Sequence, residues 1–208
     1  KVYMQVSRGL WEIDVATGGT RQIRDRINEN CGIQTARMSP TGTHVVYQEY
    51  TGEKRGIILI DAATGEEKVL LPMGDTLSFY PTWSPDGKYI AAYTADKLAS
   101  SVGSTPVYAF IPGEDGPMSS GQAITVVDLE GKVVKTIAVD GKYVHHFSWL
   151  SDNESLVFVA GEVAFGKWGE VTSLDYATAH IASVTADTPV QAADISAIEK
   201  ETGRSASW

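Results

Sequence analysis

The chain has 208 residues, 43% of them hydrophobic, and its 17 basic and 26 acidic side chains leave a formal net charge of −9. That length supports one domain with a sizeable core, and the acidic balance argues against nucleic acid as a partner. The single cysteine, Cys31, excludes an internal disulfide and a cysteine-rich zinc site.

Lys1-Val2-Tyr3-Met4 reads as a strand entered from a turn, and Trp11-Glu12-Ile13-Asp14-Val15-Ala16-Thr17-Gly18 as an apolar strand running into Asp and a tight turn. Ala36-Arg37-Met38-Ser39-Pro40-Thr41-Gly42-Thr43-His44-Val45-Val46 places a Ser-Pro-x-Gly reversal between two strands. Ile58-Leu59-Ile60-Asp61-Ala62-Ala63-Thr64-Gly65 repeats the Asp-ended strand, and Pro81-Thr82-Trp83-Ser84-Pro85-Asp86-Gly87-Lys88-Tyr89-Ile90-Ala91 repeats the reversal in its fullest form. There Pro85 presets φ and Gly87 supplies a left-handed residue. Residues 97–122 read as a long loop. Thr125-Val126-Val127-Asp128-Leu129-Glu130-Gly131 is a third Asp-ended strand, followed by a strand over residues 132–139.

Phe147-Ser148-Trp149-Leu150-Ser151-Asp152-Asn153-Glu154-Ser155-Leu156-Val157 aligns with the reversal without a gap, Asn153 standing where Gly would accept φ > 0. Val171-Thr172-Ser173-Leu174-Asp175-Tyr176-Ala177-Thr178-Ala179 is read as a fourth Asp-ended copy. Asp14, Asp61, Asp128 and Asp175 are thus expected as turn formers, each accepting a backbone hydrogen bond from two residues on. Ser196-Ala197-Ile198-Glu199 fits a capping box.

A period of about fifty residues implies one supersecondary unit per repeat. The expected fold is all-β: a β-propeller of four four-stranded antiparallel blades, either a closed small ring or part of a larger propeller. The blades fall at about residues 1–33 with 204–208, 34–78, 79–143 and 144–203. The Trp83-Ser84-Pro85-Asp86-Gly87-Lys88 stretch resembles the TolB-like propeller repeat, a relative of the WD-repeat. The likeness covers nearly the whole chain, with partial matches at Met38-Ser39-Pro40-Thr41-Gly42 and Trp149-Leu150-Ser151-Asp152-Asn153. Ser207-Trp208 resembles Thr82-Trp83, so the termini could complete one blade. The absence of an initiator Met suggests a processed product, an excised domain or part of a longer chain.

In such a blade, loops between the second and third strands share a face with the loops between blades. Tyr50 and Arg55, Tyr108 and Phe110, and Trp168 fall in the first kind of loop. Tyr80, His146 and Arg204 fall in or beside the second, with Thr35 at the position equivalent to Tyr80 and His146, and His145 beside it. Aromatic and basic groups on a rigid scaffold are the candidate binding residues. His145 and His146, as strand neighbours, face opposite sides and are not expected to share a metal. No nucleophile elbow, zinc-protease helix, phosphate loop or calcium loop is present, so no catalytic residue, metal or cofactor is assigned.

The leading expectation is a non-catalytic binding or scaffolding propeller recognising a protein or peptide. It is expected in the periplasm, cell envelope or outside of a bacterium; near-absence of cysteine by itself suits a bacterial protein, cytoplasmic or exported, better than a disulfide-rich secreted module. No apolar run approaches the roughly 20 residues of a spanning helix, so membrane insertion of this chain is not expected. The resemblance implies one alternative, the gating propeller of a larger serine peptidase. A second is a propeller lyase or hydrolase acting on acidic sugars, with His145 or His146 and Arg204 near the channel.

Overall fold

Short apolar runs punctuated by Gly, Pro and Asp become strands, and the computed structural model has no helix among the residues it describes: 1–6, 9–25, 31–51, 54–74, 76–96, 110–113, 116–121, 123–165 and 171–193. A first antiparallel sheet has the order β1 (Val2–Val6), β2 (Gly9–Ile13), β3 (Thr20–Arg24). The second runs β4 (Cys31–Met38), β5 (His44–Thr51), β6 (Lys54–Asp61), β7 (Glu67–Leu71). The third contains β8 (Thr76–Trp83), β9 (Tyr89–Asp96), β12 (Ala123–Asp128) and β13 (Val133–Ile137), adjacent in that order. The fourth is six-stranded: β10 (Phe110–Gly113), β11 (Gly116–Gly121), β14 (Tyr143–Trp149), β15 (Ser155–Phe165), β16 (Val171–Ser183), β17 (Gln191–Ala192). The stretch 97–122, expected as a loop, therefore carries a hairpin, and β11 pairs with β14 through Ser120↔His145 and Gly121↔Val144.

The turns follow the residue chemistry. Asp14 Oδ1 accepts the N–H of Ala16 and Thr17, Asp61 Oδ1 those of Ala63 and Thr64, and Asp128 Oδ1 those of Glu130 and Lys132. Gly18, Gly65 and Gly131 close these turns at positive φ. In the reversals, Gly42, Gly87 and Asn153 take φ of 72°, 73° and 63°.

The fourth Asp-ended copy is misplaced in the sequence reading. Asp175 lies within β16, in register with Glu162, and forms no turn. Ala179 stands where the first two copies have Gly, so nothing supplies the left-handed residue and the strand runs on. The equivalent of Asp61 is Ser183: Ser183 pairs with Ser155 as Asp61 pairs with His44, and its Oγ accepts the N–H of Ala186. Val184 N donates to Glu154 O just as Ala62 N donates to Thr43 O. The capping-box residues 196–199 lie outside the described residues.

The chain forms two compact units, Lys1–Ala92 with Val126–Val133, and Tyr93–Thr125 with Val134–Trp208. In the first, the second sheet is buried on both faces. Val45, Tyr47, Ile58 and Ile60 pack with Leu10 and Ile33, joined by Tyr3 and Ile23, while Val46, Ile57 and Leu59 pack with Trp83, Ile90, Ala92 and Val127. Trp83 is fixed by its Nε1–H, which donates to Arg37 O at 3.0 Å. An antiparallel sheet in a sandwich buries one face and alternates with polar residues; β5 and β6 instead show unbroken buried runs. In the second unit, Tyr93 meets Phe147 edge-on at 4.7 Å, Thr94 and Thr125 share a buried hydrogen bond of 2.9 Å, and His180 stacks on Phe158.

Candidate functional site

Strand alternation sends Val46, Gln48 and Tyr50 to one face of the second sheet, and the register brings Arg55 opposite Tyr50 at the β5–β6 end. The Arg55 guanidinium lies 5.3 Å from the Tyr50 ring centroid, a cation–π pair. The same end carries the connection to the third sheet. Gly56 is packed so closely there that a Cβ would stand 2.8 Å from both Leu71 O and Met73 Cγ.

Gln48, two residues before Tyr50, is only 2% exposed, and its Oε1 accepts the backbone N–H of Tyr80 at 3.2 Å. Tyr80 lies in β8, meets Phe79 edge-on at 6.0 Å and remains 37% exposed. The first unit thus gathers three of the candidate residues: Tyr50 and Arg55 as a stacked pair, and Tyr80 tied to the same strand through Gln48. Lys54, also exposed, adds a second cation beside the pair.

Tyr80 has a φ of 54°, and its sequence equivalents share that conformation: Thr35 has 49° and His146 has 35°. At two of them the ladder shows why. Pairing jumps from Gln34↔Gln48 to Arg37↔Val46 in the second sheet, and from His145↔Val159 to Phe147↔Phe158 in the fourth. Each jump is a β-bulge, one extra residue that re-aims the side chain. Thr35 Oγ1 is buried without a hydrogen-bond partner among the described residues, and His146 is exposed. The sequence carries little sign of these bulges, because Thr rarely takes φ > 0 and a lone His, although enriched there, does not mark the position. Gln48 was also missed; a glutamine inside an otherwise apolar strand was its only mark.

Of the other candidates, Phe110 opens β10 and His145 lies in β14, while Tyr108, Trp168 and Arg204 fall outside the described residues. The ionisable groups with the clearest shifts lie elsewhere. Glu12 accepts from Tyr3 at 2.7 Å, Arg21 at 3.1 Å and Lys1 at 3.0 Å, and the first two of these hold its carboxyl down at about 2. Burial and then Glu12 push Tyr3 up to about 12. Burial, followed by the charge of Glu67, raises Tyr47; burial, followed by Lys142, lowers His180.

No family model and no curated protein matches the chain. Solved structures do. It is similar to the tricorn protease (TM-score 0.55, 15% identity, 87% of this chain and 16% of that one). It is similar to the Pyrococcus horikoshii acylaminoacyl peptidase (0.55, 14%, 88% and 27%) and to a putative TolB from Agrobacterium tumefaciens (0.54, 16%, 91% and 58%). The chain therefore spans between 16% and 58% of the length of these structures. At such identities the likeness shows the fold alone, an all-β, propeller-like set of antiparallel sheets.

Proposed function

We propose that the chain is a non-catalytic propeller module, its sheets acting as blades, that recognises a protein or peptide through the sheet end carrying Tyr50, Arg55 and Tyr80. We further propose that it serves as the gating or accessory domain of a larger serine peptidase. The observation that carries the module reading is the burial of the second sheet on both faces, which blades stacked in series require and a two-layer sandwich does not. The peptidase reading is favoured over a free-standing scaffold by the likeness to two peptidase structures, of whose chains this one covers 16% and 27%.

Two measurements test this. A fluorophosphonate probe, which labels activated serines, is expected to leave the purified chain unlabelled; labelling abolished by a single serine substitution would overturn the non-catalytic assignment. Sequencing the gene on both sides of this segment should reveal a hydrolase domain with a Gly-x-Ser-x-Gly elbow. A gene without one would leave the scaffold reading and refute the peptidase one. A periplasmic, envelope or extracellular location in a bacterium belongs to the same proposal, and cell fractionation checks it.

A further inference from the structure

Left-handed backbone is expensive for any residue with a Cβ, and this chain respects that rule wherever a turn alone is at stake. Among the described residues, six glycines and Asn153 occupy left-handed turn positions. The exceptions are Thr35, Tyr80 and His146, one in each of three sheets and all in the same column of the repeat. If the bulge served only to bend the strand, Gly would be the least strained residue there. Instead the column holds a β-branched side chain and two large rings, and both rings reach solvent. A strained residue held at equivalent places points to what its side chain does.

We propose that Tyr80 is a peptide-contact residue, displayed by its left-handed backbone and tied through Gln48 to the strand that carries the Tyr50–Arg55 stack, that takes an extended polypeptide segment. This deepens, and rests on, the reading of the chain as a peptide-recognising module. Tyr80 is held from behind: Gln48 takes its backbone N–H and Phe79 supports its ring. The ring is thus presented with little freedom left to lose on binding, as an interface anchor should be. Tyr50 with Arg55 adds an aromatic face and a cation, suited to a carboxylate or a second aromatic side chain of the same segment. The net charge of −9 favours a polypeptide over nucleic acid as the occupant. His146 repeats the geometry in the second unit, where the same logic applies to it separately.

The test selects binders to the purified chain from a library of randomised short peptides. It then measures the affinity of the selected peptides for the wild type, Tyr80→Asn, Tyr80→Gly and Arg55→Met by fluorescence anisotropy, with melting temperatures alongside. Asn tolerates the left-handed conformation, so Tyr80→Asn should stay folded, melt within about 3 °C of the wild type and bind about tenfold more weakly or worse. Arg55→Met should weaken the same peptides. Selected peptides that bind both Tyr80 variants as tightly as the wild type would overturn the role of Tyr80 while leaving a peptide-recognising module standing. A wild type that enriches no peptide would sink that reading, and this inference with it. Binding to a glycan array that depends on Tyr80 would overturn the peptide assignment alone.

Discussion

Glu12 offers the sharpest physical test of the first sheet. Its carboxylate is buried and receives Tyr3, Arg21 and Lys1, so Glu12→Gln keeps the volume but removes the charge that all three donors address. A carboxyl moved from its ordinary value near 4.3 to about 2 corresponds to an upper bound of ~3 kcal/mol. Arg21 and Lys1 are about half exposed, at 49% and 52%, so water screens part of that, and we expect a loss of ~1–2 kcal/mol near neutral pH. At this chain length that lowers the melting temperature by roughly 2–8 °C.

The pH dependence carries the sign. The folded carboxyl has the lower pKa, so its contribution is complete above about 4.3, where the unfolded group is also ionised, and fades as pH falls toward 2. Urea unfolding of both proteins at pH 6, 4 and 3 should show a gap that is widest at pH 6 and shrinks below about 4.3. A gap that stays constant from pH 6 to 3 would refute the assignment of the stabilisation to an ionised Glu12.

The remaining predictions concern turns and close contacts. Asp61→Ala should lower the melting temperature by a few degrees through loss of the carboxylate oxygen that accepts two backbone N–H groups, whereas Asp175→Ala, which removes no turn closure, should have the smaller effect; equal effects in thermal melts would reinstate Asp175 as a turn former. Gly56→Ala forces a Cβ against Leu71 O and should cost ~1–3 kcal/mol, while Gly74→Ala, which meets nothing within 4 Å, should be neutral or slightly stabilising in urea titrations. Gln48→Ala removes the acceptor of the Tyr80 N–H and is expected to cost ~1–3 kcal/mol. A melting temperature equal to that of the wild type would show that the amide finds another acceptor. Thr35→Gly relieves both a left-handed β-branched residue and an unpartnered hydroxyl, so its melting temperature should rise; a fall would mean that the threonine methyl packs better than the bulge geometry suggests.

Much of the architecture is local and was therefore legible. Pro85 and Gly87 define a reversal, and Asp14, Asp61 and Asp128 close turns, because a short side chain bonding its own backbone needs no distant partner. The position equivalent to Tyr80 could also be found by spacing alone. The fourth copy failed because Leu174-Asp175 resembles Ile13-Asp14 in composition. What decides between strand and turn there is cross-strand register, Ser155 opposite Ser183, and register belongs to the pairing of β15 with β16.

The sequence by itself determined the strand-and-turn rhythm, the antiparallel sheets and the set of aromatic and basic residues proposed for recognition. Only the tertiary structure decided which of those residues meet. The stack of Arg55 on Tyr50, the Gln48 bond to Tyr80 and the left-handed bulges at Thr35 and His146 all depend on which strand lies beside which. A bulge is a mismatch between two strands, and neither strand alone contains it.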